Sequence, residues 1–313
     1  MSAAGAAATT EQVGENPFDE ETMASFRARP DFAAHAVRIA RTFIEQFVGN
    51  RFLNLITNDR GRIQVAHAVL YLHYMRDPND PASGLTPSRL KAFCAQHRMC
   101  SPGRTGAMLA VMQMSGNVVQ APAAKDRRVR LLMPTAKLLD NFLTRWITYF
   151  DALAEMMPET ADIARAARQS DVFVQTYVRH VVEHYIAGNR LMNCVPQLNM
   201  FADANAGMLI FLSLFAAAGA EGPPDDAQYV QMPISELARR FGVSRAHVKQ
   251  VLRGAQDKGL LTMDDGSARG ILLTADYFDA AYQLFAAMFT LELRIGQAAL
   301  EASRAALEAA DAR

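Results

Sequence analysis

Five polar side chains cluster in one short stretch: Arg245, His247, Lys249, Gln250 and Arg253, directly after Ser244. Guanidinium, ammonium, imidazole and carboxamide groups hydrogen-bond phosphate oxygens and base edges, so this set is suited to binding DNA in a major groove and not to breaking bonds. A second basic set lies earlier in the chain: Arg104, then Lys125, Arg127, Arg128 and Arg130. Four of these five fall within six residues, as a phosphate grip would require. No paired catalytic carboxylates, nucleophile elbow or phosphate-cradling glycine loop is present, so a binding protein is expected and an enzyme is not.

Other reactive types are sparse. His180 and His184 have i, i+4 spacing with Glu183 between them, but the order is not HExxH and no third ligand stands near, so core or surface histidines are expected. Cys100 lies one residue before a helix N-cap, where a thiolate is stabilised; a redox switch there competes with simple packing in the turn. Cys94 and Cys194 lack such a setting. No metal or cofactor is expected.

The elements that must position the basic sets are readable. From Met232 to Phe241, the residues Ile234, Leu237, Ala238 and Phe241 recur at helical spacing. Gly242 stops that helix, Val243 plugs the turn and Ser244 caps a second helix. Val248, Val251, Leu252 and Ala255 are the buried stripe of the second helix, which puts the polar set on the opposite face. Gly259 stops it, Leu260–Thr262 begins a strand, Asp264–Ser267 is a turn and Gly270–Thr274 returns. Helix, turn, helix and hairpin is the winged helix-turn-helix plan.

Leu85–Thr135 repeats that plan. Leu90, Phe93 and Cys94 form the first stripe, Met99 the plug, and Ser101-Pro102 the cap and first helical position. Met108, Leu109 and Met112 form the second stripe, Gly116 the stop, and Lys125-Asp126-Arg127-Arg128 the hairpin tip. The exposed face of this second helix is small (Gly103, Gly106, Ala107, Ala110), with Arg104 the one residue that can reach a base.

The string DRRVRLLMPT (Asp126–Thr135) after a glycine-terminated helix resembles the wing of MarR-type regulators, over roughly residues 31–157. That resemblance implies a DNA-binding regulator, often dimeric and often tuned by a small-molecule effector. The second half shares the plan but lacks the Asp-Arg-Arg tip.

The halves match further. Gly49-Asn50-Arg51-Phe52-Leu53-Asn54 and Gly188-Asn189-Arg190-Leu191-Met192-Asn193 lie at an offset of 139, as do Thr135 and Thr274, and the apolar stretches Val65–Met75 and Ala204–Leu214. Within the helix-turn-helix the offset is 143–144. Equal offsets on both sides of compensating length changes mark an internal duplication. The repeated Gly-Asn-Arg is read as a helix C-cap.

The expected fold is therefore mainly α with small β-wings: two tandem winged helix-turn-helix units joined by a helical, dimerisation-type core. The expected segments are a disordered or loosely packed tail (1–30), a first half (31–157), and a second half (158–313) ending in a long helix apolar on most of its circumference. Flanking helices are expected at 31–49, 136–157, 171–188 and 275–309. The expected partners are double-stranded DNA, a small-molecule effector, and either a homodimer mate or the chain's own other half as a pseudo-dimer.

Half of the 313 residues are hydrophobic and a fifth are charged, the profile of a soluble globular chain. Lys and Arg number 32, as do Asp and Glu, which excludes a histone-like coat acting by net charge alone. The charge is instead segregated: residues 85–135 hold eight Lys/Arg against one acid, and 233–274 hold seven against four. No membrane span or secretory signal is read, and three cysteines without a CxxC pair suit a reducing cytoplasm. A sequence-specific transcription regulator is the leading expectation. A replication initiator or partition protein, and a winged-helix protein-interaction scaffold, are the alternatives.

Overall fold

The computed structural model describes residues 16–49, 53, 54, 58–77, 79, 80, 83–122, 130–219, 227–263 and 270–311. Its helices begin with α1 (Glu20–Arg27), α2 (Phe32–Phe47), α3 (Arg60–Tyr74), α4 (Pro87–Gln96) and α5 (Pro102–Met114). Strands β1 (Val118–Gln120) and β2 (Leu132–Pro134) precede α6 (Ala136–Met156), α7 (Ala161–Gln169) and α8 (Asp171–Ile186). Then come the short α9 (Leu191–Cys194) and α10 (Asn199–Asp203), and the apolar α11 (Gly207–Ala218). β3 (Gln228–Gln231), α12 (Ile234–Phe241), α13 (Arg245–Asp257), β4 (Leu261–Met263), β5 (Gly270–Leu273) and α14 (Ala275–Asp311) complete the order. The fold is mainly helical with two small antiparallel sheets, β1-β2 and β3-β5-β4.

The flanking helices expected from sequence appear as α2, α6, α8 and α14. The expected two-part division, cut once at residue 158, differs from how contacts group the chain. One unit comprises Gly61–Arg190 with Thr290–Arg313 and the segment ending at Asp19; the other comprises Glu20–Arg60 and Leu191–Phe289. The interleaving has a physical cause in α11, whose sequence GMLIFLSLFAAA is apolar all round and must be covered on every side. Helix α2 supplies part of that cover, with Arg41 donating to the Ala216 carbonyl at 3.3 Å. The first turns of α14 supply more, with the Tyr277 hydroxyl donating to the Phe211 carbonyl.

The tail expected at 1–30 is also different where it is described. Phe18 is buried, and α1 buries Met23 and Phe26 one helical turn apart. Phe26 stacks on Phe289 at 5.5 Å, and Arg27 pairs with Asp279 at 2.6 Å. Burying two such apolar side chains contributes roughly 1.5–3 kcal/mol each, enough to hold a two-turn helix that propensity alone would not.

The Gly61–Arg190 unit is built on an aromatic core. Trp146 and Phe150 of α6 meet Tyr177 of α8 at centroid distances of 4.6 and 5.5 Å, and Phe173 stands 5.8 Å from Phe150. Gly296 of α14 allows close approach here, because a Cβ would stand 2.7 Å from Ile163 Cγ2. In the other unit, Phe201, Phe211, Phe215, Tyr277, Phe278 and Phe285 form a second buried aromatic core. The apolar circumference of α14 is thus largely buried within this chain.

The apolar stretch expected over 204–214 starts its helix later, at Gly207. Ala206 has φ 56°, its N–H bonds the Asn58 carbonyl at 3.1 Å, and Asn58 donates from Nδ2 to Asn205 Oδ1 at 2.6 Å. Among the described residues, no single helix is long and apolar enough to cross a membrane.

Candidate functional site

Helix α13 is fixed at both ends and along its back. Ser244 Oγ accepts from the His247 N–H at 3.1 Å, which satisfies one of the free donors of the first turn. Gly242 ends α12 at φ 67°, and Gly259 follows α13 at φ 74°. The Leu260 N–H reaches back to the Ala255 carbonyl at 3.0 Å, closing the helix end. Val248, Val251, Leu252 and Ala255 are all buried. Gly254 lets α13 lie against α10, since a Cβ would stand 3.0 Å from Met200 Cε.

The opposite face is polar and open. Arg245, Lys249, Gln250 and Arg253 are exposed. Arg245, Lys249 and Arg253 recur every four residues, so they line up along one side of the helix at a rise of about 6 Å each. Gln250 lies beside this row. Among the described residues, none of the three cations makes a salt bridge or side-chain hydrogen bond. Such a row has no neutralising side-chain partner among the described residues.

His247 behaves differently from the rest of its set. At 100° per residue it falls at the edge of the buried stripe, and its Nε2 donates to the Asn205 carbonyl at 2.8 Å. Through this nitrogen the ring ties α13 to the α10–α11 connection. Asn205 as its partner was not visible from sequence, because the pair is 42 positions apart.

The corresponding part of the other unit makes the same bonds at matching positions. Ser101 Oγ accepts from the Arg104 N–H at 3.4 Å, and the Asn117 N–H bonds the Met112 carbonyl at 2.8 Å. Thr135 Oγ1 donates to the Gly116 carbonyl at 2.8 Å, as Thr274 Oγ1 does to the Gly259 carbonyl at 2.9 Å. Arg98, at φ 54°, takes a left-handed place between α4 and α5, as Gly242 does between α12 and α13. Gly49 and Gly188, at φ 75° and 92°, both follow helix ends, as the C-cap reading of Gly-Asn-Arg requires. Among the described residues no third strand matches β3 here: β3 pairs along β5, whereas the Leu85 carbonyl accepts one hydrogen bond from the Leu132 N–H of β2 at 2.8 Å.

The surface of α5 is nevertheless unlike that of α13. Gly103, Arg104, Ala107 and Ala110 are exposed, and Met114 is 88 % exposed. Lys137 Nζ donates to the Ser115 carbonyl at 2.8 Å, setting a cation at the helix C-terminus. Arg130 is exposed just before β2. Lys125, Arg127 and Arg128 lie outside the described residues, as does the Asp264–Ser267 turn.

Cys100 is half-buried in the α4–α5 turn, and Cys94 and Cys194 are also free thiols. Burial pushes the Cys94 thiol up to about 12. Among the described residues, no group of three His, Cys, Asp or Glu side chains could hold a metal.

Sequence reasoning missed a buried polar cluster in the Gly61–Arg190 unit. Arg145 of α6 and Glu292 of α14 are 8 % and 6 % exposed. The Tyr177 hydroxyl donates to Glu292 Oε2 at 2.5 Å. Burial raises the Glu292 carboxyl to about 7 against the opposing pull of Tyr177 and Arg145. The one signal in the sequence was an acid amid the apolar run FTLELRIG of α14.

No protein-family model matches the chain, and neither a curated protein nor a solved structure matches it.

Proposed function

We propose that the chain is a sequence-specific, double-stranded-DNA-binding transcription regulator carrying two tandem winged helix-turn-helix units on a helical core. The observation that carries this reading is the α13 face, where Arg245, Lys249 and Arg253 stand in an exposed row beside Gln250 with no intramolecular partner among the described residues. A helix of this diameter fits a major groove, where Arg and Gln can make bidentate contacts to guanine and adenine. Ser244 sets the helix N-terminus, the part that enters first in this docking mode. The order α12, turn, α13, β4, β5 supports the winged-helix assignment, and the matched bonds at Ser101, Asn117 and Thr135 support a second copy. The resemblance of Asp126–Thr135 to a MarR-type wing points the same way.

The two copies have unequal roles in this reading. The second reads bases through α13, and the first grips phosphates through Arg130 and the neighbouring Lys125, Arg127 and Arg128. His247 acts in this reading as a positioning residue for α13 through its Nε2. Selection of bound duplexes from a random pool by electrophoretic mobility shift, repeated across salt, tests the proposal. A recovered consensus is the expected result. Binding without sequence preference, or none, would overturn it.

A further inference from the structure

The Gly61–Arg190 unit also contains a cavity of about 200 Å³. His180 and His184 of α8, 2 % and 7 % exposed, form its buried side. Arg294, Gln297 and Glu301, on one face of α14, and Pro17 complete the lining. The space holds six or seven waters at about 30 Å³ each, so it suits a ligand with about that number of non-hydrogen atoms.

The charges around the cavity select among such ligands. Burial keeps both imidazoles below their usual range, His180 at about 4 with Arg179 and His184 adding to the effect. Each is therefore an uncharged ring with one donor and one acceptor, and in His184 the Nδ1 already faces the Asn189 amide at 3.5 Å, which leaves its Nε2 for a ligand. Arg294 pairs with Asp19 at 2.6 Å, which uses one of its several N–H donors. Glu301 is exposed at the rim and makes no salt bridge among the described residues. A simple anion would meet Arg294 but also Asp19 and Glu301. A simple cation would meet Glu301, and Asp19 where it pairs with Arg294, but also the Arg294 guanidinium itself. Arg294 and Glu301 sit two turns apart, about 10 Å along the helix, a span that two long side chains and a short zwitterion can close.

We propose that this cavity binds a small zwitterion of the amino-acid class, its carboxylate on Arg294 and an imidazole N–H and its ammonium on Glu301. The site does not include the α13 face and stands whether or not that face binds DNA.

The test is titration of the full chain with β-alanine, acetate and ethylammonium in parallel, read by NMR of the histidine ring carbons. β-Alanine should give saturable shifts in the rings of His180 and His184, with a Kd lower than that of either half-ligand by about tenfold or more. Arg294→Gln and Glu301→Gln should each weaken β-alanine by about tenfold or more. Unchanged fluorescence of Trp146 shows that these variants are folded, and the comparison of half-ligands in the unaltered chain decides the matter without them. Acetate or ethylammonium binding as tightly as β-alanine, the absence of saturable shifts, or unweakened binding in both variants would overturn the assignment.

Discussion

Glu292→Gln should change how the stability of the Gly61–Arg190 unit depends on pH. In the folded chain the Glu292 carboxyl sits at about 7, against an ordinary value of 4.5, because burial penalises its charge. The folded-state value is the higher one, so the folded chain keeps this proton where the unfolded chain releases it. Stability from this group is full below about 4.5, falls as pH rises, and is lost above about 7. At 1.36 kcal/mol per unit, the difference amounts to about 3 kcal/mol between the two limits. Glutamine is nearly isosteric with the protonated acid and does not titrate. At pH 5 the variant and the wild type should therefore be close, and at pH 8 the variant should be the more stable by about 3 kcal/mol. Arg145, Tyr149 and Tyr177 face the carboxyl and stay in place in both proteins. His67, held at about 3 by burial, titrates the opposite way, so the difference between the two proteins is the quantity to follow. The chain has one tryptophan, and Trp146 lies 4.6 Å from the Tyr177 ring, so its fluorescence in urea reports on this unit. Parallel pH profiles for the two proteins would refute the reasoning.

Other expected outcomes rest on single contacts. Arg98→Gly should stabilise the same unit by about 1 kcal/mol, since φ 54° strains a residue with a Cβ; an unchanged or lower urea midpoint would count against it. Ser244→Ala should cost about 1 kcal/mol through loss of the cap, seen as faster hydrogen exchange at the α13 amides, whereas Ser244→Asp should retain protection. Gly207→Ala should cost about 1–3 kcal/mol or more, because a Cβ would stand 2.2 Å from the Phe201 carbonyl oxygen and backbone cannot rotate away; thermal unfolding measures it. Lys249→Ala with Arg253→Ala should reduce the slope of log affinity against log salt by about 2, if both cations displace counterions from phosphates; an unchanged slope places them off the DNA.

Local features were legible in the sequence where the chain satisfies itself nearby. The cap, stop and stripe of α13 involve partners within a few residues, so Ser244, Gly259 and Val248 could be assigned from type and spacing. Where partners are distant the reading failed. Helix α1 exists because Phe26 finds Phe289, and β3 exists because Gln228–Gln231 pairs with β5. His247 carried the right residue type for a base contact, but its position at the edge of the stripe delivers it to Asn205. Tyr177 and Glu292 meet across 115 positions, so the buried cluster left only an unexplained acid in an apolar run. The division into halves missed the interleaving for the same reason: duplication is recorded along the chain, while α11 takes its cover from both ends of it.

The central claim is that the α13 face reads bases. Its most direct test is the ratio of affinities for a selected duplex and a scrambled one at fixed salt, in the wild type and in the Arg245→Ala, Gln250→Ala double variant. The account predicts a wild-type ratio of about 1,000 or more, falling by about tenfold to several hundredfold in the variant while scrambled-duplex affinity changes far less. A wild-type ratio near one, or a ratio that survives the double substitution, would contradict it.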